Sequence, residues 1–326
     1  MKKKFKFLGI FEIRESITII ILIAYMIILA IFNPIFFRVK NLIGIAFATS
    51  IEVPVVIGMQ ALLATGMFDL SVGSVAALSG MVTAILLRNT SNILLSVASG
   101  FGMGAIIGLI NGLLVTKIRL NALIVTLATM GIARALTLGM VSGRVITGFP
   151  EPYKFLGQGI VLGIPVAVII AAGMTIVADY SFRRITGCRR FYYVGSNDQA
   201  ATYCGINVGR IIRSAFLFTA VTSAFTGIIM TSRSMSSSPL IFQDLALEAI
   251  AACVIGGSSI RGGEGSVIGA IMGLLIIIIT RNIMLLFNVS VYWKELVVGI
   301  ILILAVVGDS YAIERAKKGI ISSMTD

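Results

Sequence analysis

Histidine is absent from the 326 residues of this chain, which removes the commonest general base and the commonest metal ligand together. Charged residues are also scarce, at 12% against 58% hydrophobic, and mean hydropathy is +1.04. A soluble domain of that composition would expose large apolar patches that lipid solvates readily, so the chain reads as an integral membrane protein crossing many times. The cysteines, Cys188, Cys204 and Cys253, are odd in number and lack metal-ligand spacing. They give no disulfide framework and read as small apolar fillers or free thiols. Missing too is any Gly-x-x-x-x-Gly-Lys-Ser/Thr stretch, so the chain is expected not to bind ATP itself. No cofactor and no metal is expected.

What is present is a formal charge of +12, but its bases sit in short connectors between apolar runs. That is the pattern that sets membrane topology and argues against nucleic acid as a partner. Met1-Lys2-Lys3-Lys4 precedes an apolar run without a small-residue cleavage site, and reads as the cytoplasmic start of a retained first helix. Spanning segments can be drawn at 17–33, 42–66, 70–88, 93–116, 121–141, 162–180, 210–232, 244–256, 266–287 and 294–309. The fold class is thus all-α and polytopic, about ten helices at roughly 20 residues each, forming a single transmembrane domain over residues 1–326. With both termini inside, the basic start, the 181–213 stretch and the tail carrying Arg315, Lys317 and Lys318 all fall in the cytoplasm. The connectors at 142–161 and 233–243 then lie outside, open to an extracytoplasmic partner.

Two helices are expected to be interrupted, near residues 66–74 and 256–265. Non-helical backbone at membrane depth must be buried in protein or line a wet cavity, so both turns belong inside the bundle. Each leads into the same tripeptide, Gly73-Ser74-Val75 and Gly265-Ser266-Val267, which hints at a two-fold internal repeat. Gly100, Gly104, Gly108 and Gly112, and likewise Gly265, Gly269 and Gly273, recur every fourth residue and predict close helix packing, with a direct path-lining role as the second reading.

Ionisable groups in a membrane are costly and each is a candidate site. Asp69, beside Ser71 and Ser74, fits either a cap for the following helix or a direct place on the pathway. Glu248 lies deep in an apolar segment and invites a partner such as Arg134 or Arg261, as a structural ion pair or a gate. Glu52, Gln60, Asn111, Asn121, Thr126 and Thr129 suit a path for polyhydroxylated solutes and suit interhelical hydrogen bonds equally. In the cytoplasmic stretch 190–208, Asn197 can cap a short helix with a smooth alanine face that Gly205 ends, a lever able to dock in a groove on a cytoplasmic partner.

Three segments together resemble the permease subunits of bacterial sugar-type ABC importers, the ribose, xylose, arabinose, galactose and autoinducer-2 group. They are Phe68-Asp69-Leu70-Ser71-Val72-Gly73-Ser74, then Val194-Gly195-Ser196-Asn197-Asp198-Gln199-Ala200-Ala201 with Cys204-Gly205-Ile206-Asn207-Val208, and Glu248-Ala249-Ile250-Ala251-Ala252 running on to Gly265-Ser266-Val267. The resemblance implies a multi-pass pore subunit of the bacterial cytoplasmic membrane that pairs with a second permease copy or a related paralogue. Cytoplasmic ATP-binding subunits would drive it, and an extracytoplasmic solute-binding protein would deliver a small hydrophilic solute. It also implies an ATPase-coupling segment matching Gly195, Asn197, Asp198, Ala200, Ala201, Gly205 and Ile206. The translocation path would then be flanked by Asp69, Ser71, Gly73, Ser74, Glu248, Gly256, Gly257 and Gly265. Ser196 stands where the family has a customary glycine, and Asp198-Gln199 where it has a pair of glutamates.

Two other classes compete. An ion-coupled secondary transporter also accommodates interrupted helices and a repeat. An intramembrane protease would need a base for Ser71 or Ser259, for which histidine is unavailable, or two aspartates in suitable contexts, and Asp309 lies at the cytoplasmic end of the last expected span with no matching partner sequence.

Overall fold

Long apolar runs can satisfy their own backbone only as helices, and the computed structural model follows that rule. It describes residues 13–32 and 35–290, together with single helical positions between 293 and 307. The chain runs α1 (Ile13–Phe32), α2 (Val39–Ala64), α3 (Val72–Thr90), α4 (Ile93–Thr116) and α5 (Ala122–Val141). A connector follows with β1 (Ile146–Thr147), a 3-10 turn (Glu151–Tyr153), α6 (Lys154–Gln158) and a hairpin of β2 (Ile160–Val161) and β3 (Ile164–Pro165). Then come α7 (Val166–Arg184), α8 (Thr186–Ser196), α9 (Asp198–Tyr203), α10 (Val208–Ser234), β4 (Ser236–Ser237), α11 (Leu245–Ile255) and α12 (Val267–Leu286).

Among the described residues seven helices are long and apolar enough to cross a membrane: α2, α3, α4, α5, α7, α10 and α12. The last expected span, 294–309, falls outside the described residues save for single positions. Helix starts follow their caps: Asn92, Asn121, Asn207 and Ser266 each accept a backbone N–H from the first turn of α4, α5, α10 and α12.

At the centre stands α10, against α2, α3 and α4. The glycine stripe of α4 makes this possible. A methyl group added at Gly104 would lie 2.7 Å from Ala224 Cβ, and one at Gly108 would lie 2.6 Å from Ala220 Cβ. Gly269 and Gly273 of α12 likewise touch the backbone of Gly256 and Ala252. Direct backbone contact of this kind has no room for a side chain. Gly108→Leu is therefore expected to destabilise the purified chain by about 1–3 kcal/mol through overpacking. Gly102→Leu, on the open side of the same helix with nothing within 4 Å, should leave thermal unfolding in detergent nearly unchanged.

The two ends of α10 differ. At its C-terminal end the connector 142–165 folds down as a cap: Tyr153 donates to the Ile228 carbonyl at 2.8 Å, Gly157 N donates to Ser232 Oγ at 2.8 Å, and β1 pairs antiparallel with β4. At the other end lie α8 and α9.

The segment after α10 departs from the sequence reading. Residues 233–243 were expected as an outer loop, yet only the start pairs with β1. Ser236, Ser237, Ser238, Ile241 and Phe242 share a small cavity with Ala76, Ala77 and Gly80, well inside α3, and the Phe242 carbonyl lies against Gly73. The eleven residues of α11 are about 16 Å long, half a hydrocarbon core, so α11 alone is too short to cross one. The serines and proline of the non-helical strap before it signal a loop, but the protein around the strap satisfies the backbone that lipid would leave bare.

Candidate translocation site

The first break lies between α2 and α3. Gly66, at φ +77, turns the chain out of α2, and Asp69 follows with 1% of its surface exposed. Asp69 Oδ1 accepts from Ser71 N at 2.7 Å and from Ser71 Oγ at 2.6 Å, which orders the residue immediately before α3. Asn111 Nδ2 donates to Ser71 Oγ at 3.1 Å, and Thr129 Oγ1 donates to Asn111 Oδ1 at 2.7 Å. One polar chain thus ties the break to α4 and α5. Ser74 is buried in the first turn of α3, and Gly73 beside it accommodates the strap.

The second break lies between α11 and α12. Gly256 is pressed against Gly269, Gly257 sits at φ +92 and Gly265 at φ +123. Ser258 Oγ donates to the Oε1 of fully buried Gln60, fastening this turn to α2. Ser266 then caps α12. The shared tripeptides play different parts: Ser266 is a cap outside its helix, whereas Ser74 is inside one.

In the connector at the α8–α9 end, Asn197 Oδ1 accepts from Ala200 N at 2.8 Å and Gly205, at φ +77, follows the end of α9. Asp198 and Ala200 are exposed, while Ala201 is buried and accepts from Ile206 N at 3.0 Å. On α8, Phe191 and Val194 point into the bundle, with Phe191 edge-on to Phe182 at 5.9 Å between centroids. Burial pushes the neighbouring Tyr192 phenol up to about 12, so it stays neutral.

The structure brings these three places into one junction. Gly263 N donates to the Ala64 carbonyl at 3.0 Å, linking the second break to the end of α2. A methyl group at Gly195 would collide with that same carbonyl and lie 2.7 Å from Gly263 N. One at Gly262 would lie 2.6 Å from Gly66 N and 3.0 Å from Gly195 Cα. Three backbones meet there, with only the small Ser196 hydroxyl packed beside Gly263. The sequence shows all four glycines, but nothing in their spacing announces that they touch.

Two arginines were underrated. Glu248, 2% exposed, pairs neither with Arg134 nor with Arg261 but with Arg281, at 3.4 Å, and Arg281 also holds Glu52 at 2.7 Å. The triad joins α2, α11 and α12. Its signal was the lone base inside the apolar run of α12. Arg134, on α5, instead donates through Nη1 to the Pro239 carbonyl at 2.6 Å and the Ile241 carbonyl at 2.9 Å, both on the strap. Among the described residues no group of His, Cys, Asp or Glu is placed to hold a metal ion.

Apolar helices of spanning length, joined by polar turns that protein shelters, fit a membrane transport protein of the permease class. The family described as the branched-chain amino acid transport system / permease component matches residues 41–306, and the chain belongs to that family. It is 36% identical over 304 residues to the ribose import permease protein of Haemophilus influenzae, covering 92% of this chain and 93% of that one. Over 289 residues it is 35% identical to the L-arabinose transport system permease protein of Escherichia coli, covering 89% and 88%. With the ribose import permease protein of Bacillus subtilis it shares 36% identity over 311 residues, covering 95% and 93%. No solved structure matches the chain.

Proposed function

We propose that this chain is the transmembrane pore subunit of an ATP-driven importer of a monosaccharide or a related solute such as autoinducer-2. It works as a pair of permease copies in the bacterial cytoplasmic membrane, both termini inside, fed by an extracytoplasmic binding protein. Relatives named for ribose and arabinose support the solute class. The observation that carries the mechanism is the glycine junction. Closure of ATPase subunits around nucleotide would push α9 and α8, and the contact of Gly195 with Ala64 and Gly263 would pass that push to the breaks at 65–71 and 256–265. Asp69, Ser71 and Asn111 on one side and Gln60 and Ser258 on the other would then exchange partners as the path opens.

Gly205→Pro tests the coupling. Gly205 holds φ +77 and its N–H donates to the Thr202 carbonyl at 2.9 Å, and proline permits neither. In proteoliposomes carrying the whole complex, Gly205→Pro and Ala200→Trp are expected to cut ATP-driven uptake of labelled ribose or arabinose about tenfold while hydrolysis continues. Coupled uptake at the wild-type rate would remove the coupling assignment. Uptake that survives ATP depletion but collapses with an ionophore would replace the importer with an ion-coupled transporter.

A further inference from the structure

The hairpin of β2 and β3 presents large apolar side chains that nothing covers among the described residues. Ile160, Leu162 and Ile164 are exposed, Leu162 at 98%, and a methyl group added at Gly163 would meet nothing within 4 Å. Phe155, whose ring lies against Gly159 at the base of the hairpin, is exposed as well. Leu162 at φ +52 and Gly163 at φ +81 are the central pair of the turn, and positive φ at both positions ordinarily selects Asn-Gly or Asp-Gly. A leucine there carries backbone strain, and in water its side chain would gain no burial in return. An apolar medium around it accounts for the choice of residue.

Which medium that is follows from α7. From Phe155 to Ala178 no residue is charged, and β3 runs straight into α7, with Val166 N donating to the Gly159 carbonyl at 2.8 Å. The uncharged part of α7, Val166 to Ala178, is about 20 Å long, and Asp179, ion-paired with Arg183 at 2.9 Å, ends it. A hydrocarbon core is about 30 Å thick, so this part of α7 falls about 10 Å short of a crossing. The hairpin, residues 160–165, adds about that length on the side where α7 begins. Ile169, Ile176 and Val177 are exposed along α7 and continue the same apolar surface. The two strands pair only with each other, so their outer N–H and C=O groups need water or headgroups nearby. That requirement sets the depth at the boundary between headgroups and acyl chains.

We propose that the β2–β3 hairpin is a membrane anchor, which inserts Leu162 and its apolar neighbours into the outermost part of the leaflet at the C-terminal end of α10. Lipid, not a soluble partner, covers its exposed face, and the hairpin completes the apolar band that α7 leaves short. The proposal needs only a chain that crosses a membrane and stands or falls apart from the importer reading.

Depth can be read with tryptophan. Trp293→Phe removes the one native tryptophan, and Leu162→Trp or Ile160→Trp is then introduced into the full chain reconstituted in phosphatidylcholine vesicles. Bromine on the upper acyl carbons is expected to quench either probe at least about twofold more than bromine at the acyl ends, and iodide in the buffer to quench it little. Strong quenching by iodide with none by brominated lipid would put the hairpin in water, open to a soluble partner. Quenching by neither would put it under protein, such as a second copy of the chain, and stronger quenching from the acyl ends would put it in the core. Each of these three results overturns the proposal. Leu162→Asn separates anchoring from folding, because asparagine suits positive φ and should leave thermal unfolding in detergent unchanged or raised. Combined with Ile160→Trp, it is expected to remove at least about half of the upper-chain quenching, and undiminished quenching would show that Leu162 anchors nothing.

Discussion

Arg281→Met should lower the unfolding free energy of the purified chain by about 3–5 kcal/mol, because it removes the cation that two buried carboxylates share. Glu52 and Glu248 approach the guanidinium at 2.7 and 3.4 Å, and their side chains are 10% and 3% exposed. Arg281→Lys should fall between, since a point charge on a shorter stem serves two carboxylates less well than a planar fork. The informative variant is the triple Glu52→Gln, Glu248→Gln, Arg281→Met, which removes all three charges. It is expected to recover most of the loss in thermal unfolding in detergent and in abundance in the membrane. A triple variant as unstable as the single one would show that the charges themselves are not what holds α2, α11 and α12 at this point.

Under the proposed coupling, Gly195→Val is expected to abolish ATP-driven uptake. Its Cβ would overlap the Ala64 carbonyl, and since both neighbours are backbone, α8 must move away from the breaks. Overpacking of this sort costs about 1–3 kcal/mol, too little to unfold a bundle of this size outright. The lesion should therefore appear as protein of normal abundance that hydrolyses ATP without moving solute. Gly187→Val is the matched comparison on the same helix, with nothing within 4 Å, and should transport normally. Equal behaviour of the two variants in uptake would remove the junction from the mechanism.

Much of the scaffold was legible in the sequence because lipid leaves a chain few options. The segment drawn at 93–116 is α4 residue for residue, and 121–141 differs from α5 only by counting its cap, Asn121. The polar turns could be located too, from the glycines around Asp69 and after Ile255, although residues 65–71 join two full-length helices, α2 and α3, and do not interrupt one. What stayed hidden depends on contacts between distant segments. The strap reads as a solvent loop from Ser236-Ser237-Ser238-Pro239, and the partners that satisfy its backbone, β1 and Arg134, lie about a hundred residues earlier. Glu248 announced that it needed a cation, but Arg134, Arg261 and Arg281 are equally eligible until α12 is packed against α11. Of the site, the separate pieces could be named, while their meeting at Gly66, Gly195, Gly262 and Gly263 could not.

That meeting has a kinetic corollary. Side chains between moving parts act as springs, because a rotamer can hop and absorb displacement before anything beyond it responds. Where main chain rests on main chain there is nothing to compress. A shift of α8 would reach the Ala64 and Gly263 sides together, so under the proposed cycle the two gates answer the motor in one event, and a state with one thrown and the other lagging has no place in the sequence of steps.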